Sequence, residues 1–227
     1  MPIGTSALVL GASGGIGTAI STELERRGLY VVGLSRADGL DWTRPDLAEE
    51  TLLAAVASGP FELVFDATGA LIVEDAPPEK KLAAINAEAM AAQFWANAIG
   101  PALMFKHYEQ LLPKGRPSVM ATLSARVGSI EDNRLGGWIS YRAAKAALNQ
   151  VVRTAAIEIA RRRPDAICVA LHPGTVRTRL STPITGPNAK GTVSPEQAAQ
   201  NLIAVLDGLT PTQSGRFFAY DGTEIPW

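Results

Sequence analysis

The sequence predicts an α/β fold built on a single doubly wound parallel sheet. Three observations predict it. Short apolar runs alternate with helical patterns from end to end, the order that builds strand–helix–strand units. Several of these runs are continuously apolar, as strands buried on both faces must be. A glycine-rich turn, "LGASGGIG", joins the first run to the first helical pattern.

"TSALVLG" is the first buried strand. Ile16 to Arg27 has helical spacing, with Gly28 placed as its stop. "YVVGLS" is the second strand. "PDLAEETLLAAVAS" opens with Pro45 and Asp46 and carries a helical stripe. "FELVFDATG" is the next strand. Pro78 to Leu112 supports one long helix, divided where Pro101 removes a backbone donor. "SVMATLS" is a strand, and Tyr141 to Arg163 a strong helix ended by Pro164. Its basic last turn, Arg161 to Arg163, suits the helix dipole. "AICVALHPG" is a strand, "SPEQAAQNLIAVLDGL" a Ser-Pro-capped helix, and "GRFFAY" the last strand. Only about five residues separate "VVGLS" from "LDWT", where a parallel crossover needs roughly a dozen. The helix usual between strands 2 and 3 is therefore missing. "LDWT" is a vestigial strand or a loop.

At 227 residues the chain is most simply one domain, 1–227, with a sizeable core. Hydrophobic residues make up 47% and charged residues 19%, which excludes a disordered chain. With 21 basic against 22 acidic side chains, no field favours nucleic acid as a partner. The lone cysteine, Cys168, cannot form an internal disulfide and reads as a buried core residue. "MPIGTSALVL" has no basic leader. The apolar stretch Leu82 to Phe105 is broken by Asn86, Glu88, Gln93 and Asn97, so it reads as a buried helix, not a membrane span. No His/Cys cluster has metal-ligand spacing, so no metal is expected. A cytoplasmic enzyme or binding protein is expected.

Gly11, Gly15 and Gly17 stand where a dinucleotide turn needs them. Glycine permits the tight turn and lets a pyrophosphate reach the amides at the helix start. The sheet is therefore expected to be of Rossmann type. After strand two, an acid would suit the ribose hydroxyls of NAD, and an arginine the 2′-phosphate of NADP. Here the strand ends Ser35-Arg36, with Asp38 two residues further on, so NADP(H) is favoured over NAD(H). The letters Gly11-Ala12-Ser13-Gly14-Gly15 also match a hydrolase nucleophile elbow, with His172 as a base. An elbow normally follows a middle strand, and this turn follows the first.

Tyr141 and Lys145 lie four apart on one helix face. A free tyrosine, with pKa near ~10, is a poor proton donor or acceptor at neutral pH, and a neighbouring ammonium lowers that value. At this point the chain resembles the short-chain dehydrogenase/reductase family over nearly its whole length. "GASGGIG" looks like the family's cofactor turn, implicating Gly11, Ser13, Gly15, Ile16 and Gly17. "YRAAKAALN" looks like its catalytic helix. "HPGTVRT" looks like its Pro-Gly segment near the cofactor, implicating Pro173, Gly174, Val176 and Thr178. "NAIG" makes Asn97 the fourth member of the catalytic set, and "LDWT" implicates Asp41 at the adenine. "GSIEDNRLGGW" and "GRFFAYDGTEIPW" are similar to the C-factor and Sniffer-type carbonyl reductase branch. The implied activity is hydride transfer between NADPH and a small carbonyl or alcohol, with Tyr141 passing the proton. Lys145 would bind the nicotinamide ribose, and Asn97 would hold a water linking Lys145 to solvent.

Two places depart from the family. After the "FELVFDATG" strand the family commonly has Asn-Asn-Ala-Gly, where this chain has Asp66-Ala67-Thr68-Gly69. Ala67 and Gly69 can still border the cofactor, but an ionised Asp66 accepts hydrogen bonds and donates none. The second departure is the serine. The family usually reads Ser-Ser-x-x-Gly, the second serine being catalytic, and aligning on Gly128 puts Ala125 there. Ser124 lies at the strand's carboxyl end, where a bulge or turn would have to re-aim it. Ser129 lies 12 residues before Tyr141. Ser124 is the choice, with Ser129 or no serine as the alternatives.

Broad apolar helix faces suit a homodimer or homotetramer. Leu180 to Thr192 reads as a short mobile lid. His107 and His172 read as structural, and Trp138 as a residue that can line the substrate mouth. The rival function is a cofactor-binding regulatory or signalling protein with little turnover.

Overall fold

The computed structural model describes residues 4–73, 76–181, 186 and 191–227. Six strands carry the fold: β1 (Ser6–Leu10), β2 (Tyr30–Leu34), β3 (Leu63–Asp66), β4 (Ser118–Leu123), β5 (Ala166–His172) and β6 (Phe217–Ala219). They pair in parallel throughout, in the order β2-β1-β3-β4-β5-β6. β3, β4 and nearly all of β1 and β5 are buried on both faces, which is why their sequences are continuously apolar.

The helices cover the sheet on both sides. α1 (Gly15–Arg26) and α7 (Pro195–Gly208) enclose one core layer with Ile20, Phe65, Val169 and Leu202. The other face holds α2 (Pro45–Ala55), α3 (Ala87–Phe94), α4 (Gly100–Lys106), α5 (Tyr108–Leu111) and α6 (Ile139–Arg162). Its core layer includes Leu52, Met104, Met120, Leu148 and Phe217. From β1 the chain runs outward to β2, then returns to β3 on β1's other side. That reversal opens a crevice beyond the carboxyl ends of β1 and β3, where ligands of such sheets bind.

Between β2 and "LDWT" there is only one 3-10 turn, Arg36–Asp38, so the missing crossover helix is absent as expected. "LDWT" is a loop, not a strand, among the described residues. It is pinned by Trp42, which is 6% exposed. The indole Nε1–H donates to Thr68 Oγ1 at 3.3 Å, and the ring fills the space that the absent side chain of Gly100 leaves.

The long helix expected over Pro78–Leu112 is shorter and more divided. It starts at Ala87, where the Asn86 side chain accepts the Ala89 N–H at 2.8 Å. The break comes before Pro101, not at it, in a π turn over Trp95–Ile99. Pro101 sits in the first turn of α4, where its missing N–H costs little. No helix among the described residues is long and apolar enough to cross a membrane.

Trp42→Ala should cost about 3–5 kcal/mol of stability, through lost burial and the cavity left over Gly100. The midpoint of urea unfolding measures it, and an unchanged midpoint would show that the loop is not anchored by this ring.

Candidate active site

The glycine turn closes against the ends of two strands. The N–H groups of Gly11 and Ala12 both donate to Leu34 O, at 2.8 and 3.0 Å. Gly11 has φ +76°, and a Cβ there would lie 2.9 Å from the Ala67 carbonyl oxygen. A Cβ on Gly17 would lie 2.1 Å from the Gly11 carbonyl oxygen, so the turn cannot fold with a side chain at that position. Ser13, Gly14 and Gly15 face solvent, and Ile16 is half-buried. Gly14 caps α1 without a side chain, and no acid occupies the first turn. The amides at the start of α1 therefore form an open, positively polarised cradle. Such a cradle fits a pyrophosphate.

Thr178 meets this cradle from the β5 side, its Cγ2 2.9 Å from where a Gly15 Cβ would lie. The Thr178 N–H donates to Ser181 Oγ at 3.2 Å. Val176 is buried and bridges to Val193, while Pro173 and Gly174, with φ +76° at the glycine, turn the chain out of β5. The expected lid, Leu180–Thr192, lies mostly outside the described residues.

At the end of β2, Arg36 is exposed, and its guanidinium has no hydrogen-bond or ion-pair partner among the described residues. Ser35 does not share its availability. Its hydroxyl and N–H both donate to Asp38 Oδ2, at 2.7 and 2.9 Å. These bonds commit the Ser35 hydroxyl and the Asp38 carboxylate inside their own turn. Asp41 likewise accepts from Thr43 N–H at 3.1 Å and Thr43 Oγ1 at 2.8 Å.

Deeper in the crevice, Tyr141 and Lys145 are 8% and 3% exposed. Lys145 Nζ donates to the Leu123 carbonyl at 2.9 Å and lies 6.0 Å from the centre of the Tyr141 ring. Trp138 packs edge-on against that ring, with centroids 6.3 Å apart. Burial pulls Lys145 down to about 8, against the opposing pull of Asp66. The Tyr141 phenol is buried beside Lys145. Burial alone governs that phenol and pushes it up, so Tyr141 stays protonated through neutral pH.

Asn97 lies inside the π turn and is fully buried. Its Oδ1 accepts the Ala70 N–H at 3.1 Å, and its Nδ2 donates to the Ala70 carbonyl at 2.7 Å. Gln93 Oε1 accepts from the same Nδ2 at 2.7 Å, while Gln93 Nε2 donates to Leu71 O at 2.8 Å. The two amides grip the chain just after Gly69. A Cβ on Gly69 would lie 2.9 Å from Asn97 Oδ1 and 3.3 Å from Lys145 Nζ.

No bulge re-aims Ser124. Ser124 N–H donates to Leu171 O at 2.8 Å, so the β4–β5 ladder runs on through it without a bulge. By ordinary alternation its side chain faces α6, and its hydroxyl donates to Asn149 Oδ1 at 2.6 Å. A hydroxyl has one proton, and this one is given to Asn149. Ser129 is buried and accepts the Asp132 N–H at 3.1 Å. No serine hydroxyl is hydrogen-bonded to Tyr141 among the described residues. His172 has a buried, unpartnered Nδ1 and is held down to about 4 by burial, then by Arg126, so it is neutral.

Sequence reasoning gave Gln93 and Asn149 no role at the site. A signal was present: each is a polar residue four positions from a site residue, Asn97 or Lys145, on a helix face otherwise turned to the core. No group of three or more metal-ligating side chains occurs among the described residues.

Comparison with known proteins completes the picture. Residues 70–206 match the family model described as enoyl-(acyl carrier protein) reductase. The chain is 31% identical to 1-hydroxy-2-glutathionyl-2-methyl-3-butene dehydrogenase of Rhodococcus sp. (strain AD45), covering 98% of this chain and all of that one. It is 39% identical to C-signal of Myxococcus xanthus over 61% of this chain and 78% of that one. Among solved structures, it resembles a putative short-chain dehydrogenase/reductase from Burkholderia multivorans with bound NADP. There the identity is 25%, the TM-score 0.78, and both chains are covered completely. Carbonyl reductase Sniffer of D. melanogaster shares the fold at 21% identity and TM-score 0.76, over 98% of this chain and 99% of that one.

Ser124→Ala should leave kcat within about threefold while costing about 1–2 kcal/mol of stability, because it strands Asn149 Oδ1. Steady-state kinetics beside thermal unfolding decides this. A hundredfold loss of kcat with unchanged stability would restore Ser124 to the chemistry.

Proposed function

Since this chain belongs to the short-chain dehydrogenase/reductase family, whose members are NAD(P)-dependent oxidoreductases, we propose that it reduces a small carbonyl compound at the expense of NADPH. One observation carries the reading. A buried, protonated phenol, Tyr141, stands beside a buried ammonium, Lys145, at the carboxyl end of the sheet that holds the glycine cradle. The residues fit the cofactor: open amides at α1 for its pyrophosphate, and an unpaired Arg36 guanidinium for a 2′-phosphate.

When bound, the reduced nicotinamide supplies a hydride. The chain's own task is the proton. As negative charge builds on the carbonyl oxygen, Tyr141 Oη gives its proton there, and the raised phenol guarantees that the proton is present at neutral pH. Lys145 stabilises the tyrosinate left behind by charge. Asn97 and Gln93 fix Ala70 and Leu71, so the wall opposite Lys145 does not move. With Ser124 turned to Asn149 and Ala125 at the family's serine position, no serine hydroxyl shares the work on the oxyanion. The substrate is a small aldehyde or ketone, and the reverse reaction oxidises the matching alcohol. Copies of the chain pair through the outer faces of α4, α5 and α6, where Phe105, Tyr108, Val151 and Ala155 line a groove of about 330 Å³.

Tyr141→Phe should lower kcat by at least about 10³-fold while NADPH affinity stays within threefold. A carbonyl screen followed at the nicotinamide absorbance, with cofactor titration by fluorescence, checks both. NADPH binding by the unmodified chain without turnover of any carbonyl would overturn the reading. Arg36→Ala should raise KM for NADPH about tenfold or more and leave KM for NADH unchanged, since it removes a charge-assisted contact to the 2′-phosphate alone. Equal effects on the two cofactors would show that Arg36 does not read the phosphate.

A further inference from the structure

Asp66 is a fully buried carboxylate at the end of β3, and the chemistry assigned so far does not use it. It accepts three hydrogen bonds: from Thr122 Oγ1 at 2.6 Å, Thr68 Oγ1 at 2.5 Å and Thr68 N–H at 2.9 Å. Three donors converging on one carboxyl suit its ionised form. An isolated buried carboxylate is expensive, so a compensating charge belongs nearby.

That charge is Lys145. Its Nζ donates to Leu123 O, the residue directly after Thr122 on β4. The same Nζ lies 3.3 Å from where a Gly69 Cβ would be, so it hangs over the turn that begins at Asp66. Burial raises Asp66 on balance, opposed by the hydrogen bonds from Thr122 and Thr68 and then by the Lys145 charge; burial lowers Lys145, opposed by the Asp66 charge. Among the described residues, the other elements bring no rival charge. α6 presents Tyr141 as a neutral phenol, β4 a carbonyl and the Thr122 hydroxyl, and the π turn the neutral amide of Asn97.

We propose that Asp66 is the buried counter-charge that keeps Lys145 an ammonium beside Tyr141, and so is a positioning residue for the proton transfer. The inference rests on the reading of Tyr141 and Lys145 given above. The direction follows from charge. Removing the Asp66 carboxylate leaves burial unopposed, so Lys145 loses its proton at lower pH. Activity that needs the ammonium then fades at lower pH too. Asn at this position can keep the local bonds: Oδ1 accepts from Thr68 N–H, and Nδ2 donates to Thr122 Oγ1 once that hydroxyl rotates.

The test uses the full chain and Asp66→Asn, with two readouts. In the cofactor-free protein, the Lys145 Nζ resonance is followed against pH by nitrogen NMR, assigned by its loss in Lys145→Met. The unmodified chain should show a midpoint near pH 8, and Asp66→Asn one at least about one unit lower. In kinetics, the alkaline limb of kcat/KM should move down by the same interval, with activity at pH 6 within about threefold of the unmodified chain. Asp66→Ser also removes the charge, in a smaller side chain, and should shift both readouts the same way. It decides the matter alone if Asp66→Asn does not fold. An unmoved Lys145 midpoint in the folded variants overturns the proposal, even if thermal stability falls. Because that titration needs no turnover, a chain without reductase activity would defeat the functional reading and leave this result to stand or fall separately.

Discussion

An ammonium group must be sealed from water and still carry its charge: that requirement at Lys145 organises the middle of this molecule. Desolvating a lysine favours its neutral form, and the protein counters with fixed partners. The Leu123 carbonyl takes one proton of Nζ because β4 ends there. Asp66, one strand over, supplies opposite charge through the register that pairs it with Thr122. Gly69 leaves the ammonium room by having no side chain. These groups come from three separate elements, so the site exists only when β3, β4 and α6 are assembled in register.

The π turn answers the same requirement from the other side. A regular helix through Trp95–Ile99 would place Asn97 according to the 3.6-residue period. One wide turn shifts the register, with the Gly100 N–H reaching back to Trp95 O. Asn97 and Gln93, four residues apart, point together at the chain leaving β3, and four hydrogen bonds link the two amides to Ala70, Leu71 and each other. A buried amide with partners missing would cost free energy. Here the principal donors and acceptors of both are used, and a loop next to the chemistry is held by helix side chains.

The fold was legible because period and turn chemistry agreed at nearly every element. Continuous apolar runs marked the strands, and the short gap before "LDWT" correctly removed a helix. The start of the long helix was not legible. Pro78 to Ile85 has helix-compatible composition, yet the chain forms only a 3-10 turn before Asn86 caps α3. At the site, the glycine turn and the Tyr141–Lys145 pair could be read from spacing, and Asn97 from the family resemblance. Ser35 and Ser124 could not, because what a hydroxyl does depends on which acceptor lies nearest. Asp38 captured one and Asn149 the other, and neither pairing follows from a motif. The raised Tyr141 phenol was not legible for a related reason: spacing brings Lys145 near, but burial is a property of the whole assembled fold.

The same logic explains why the start of α6 is strained. Gly136 and Gly137 have φ of +62° and +65°, and Trp138 follows at +52°, where a bulky side chain is disfavoured. Such a conformation persists only if its surroundings enforce it. Glu79 does so. Its carbonyl accepts the Trp138 N–H at 2.5 Å, and its carboxylate accepts from the Ser140 N–H at 3.2 Å and from the Ser140 hydroxyl. Arg142 adds bonds to the carbonyls of Val127, Gly136 and Gly137. The strain turns the Trp138 ring edge-on to Tyr141. The aromatic wall of the phenol is thus set by backbone geometry upstream of the helix and held by a carboxylate from a distant segment. Lys145 is fixed at its head by β4 and Tyr141 on its flank by this latch. The distance between the two groups follows from two independent anchorages on one rigid helix.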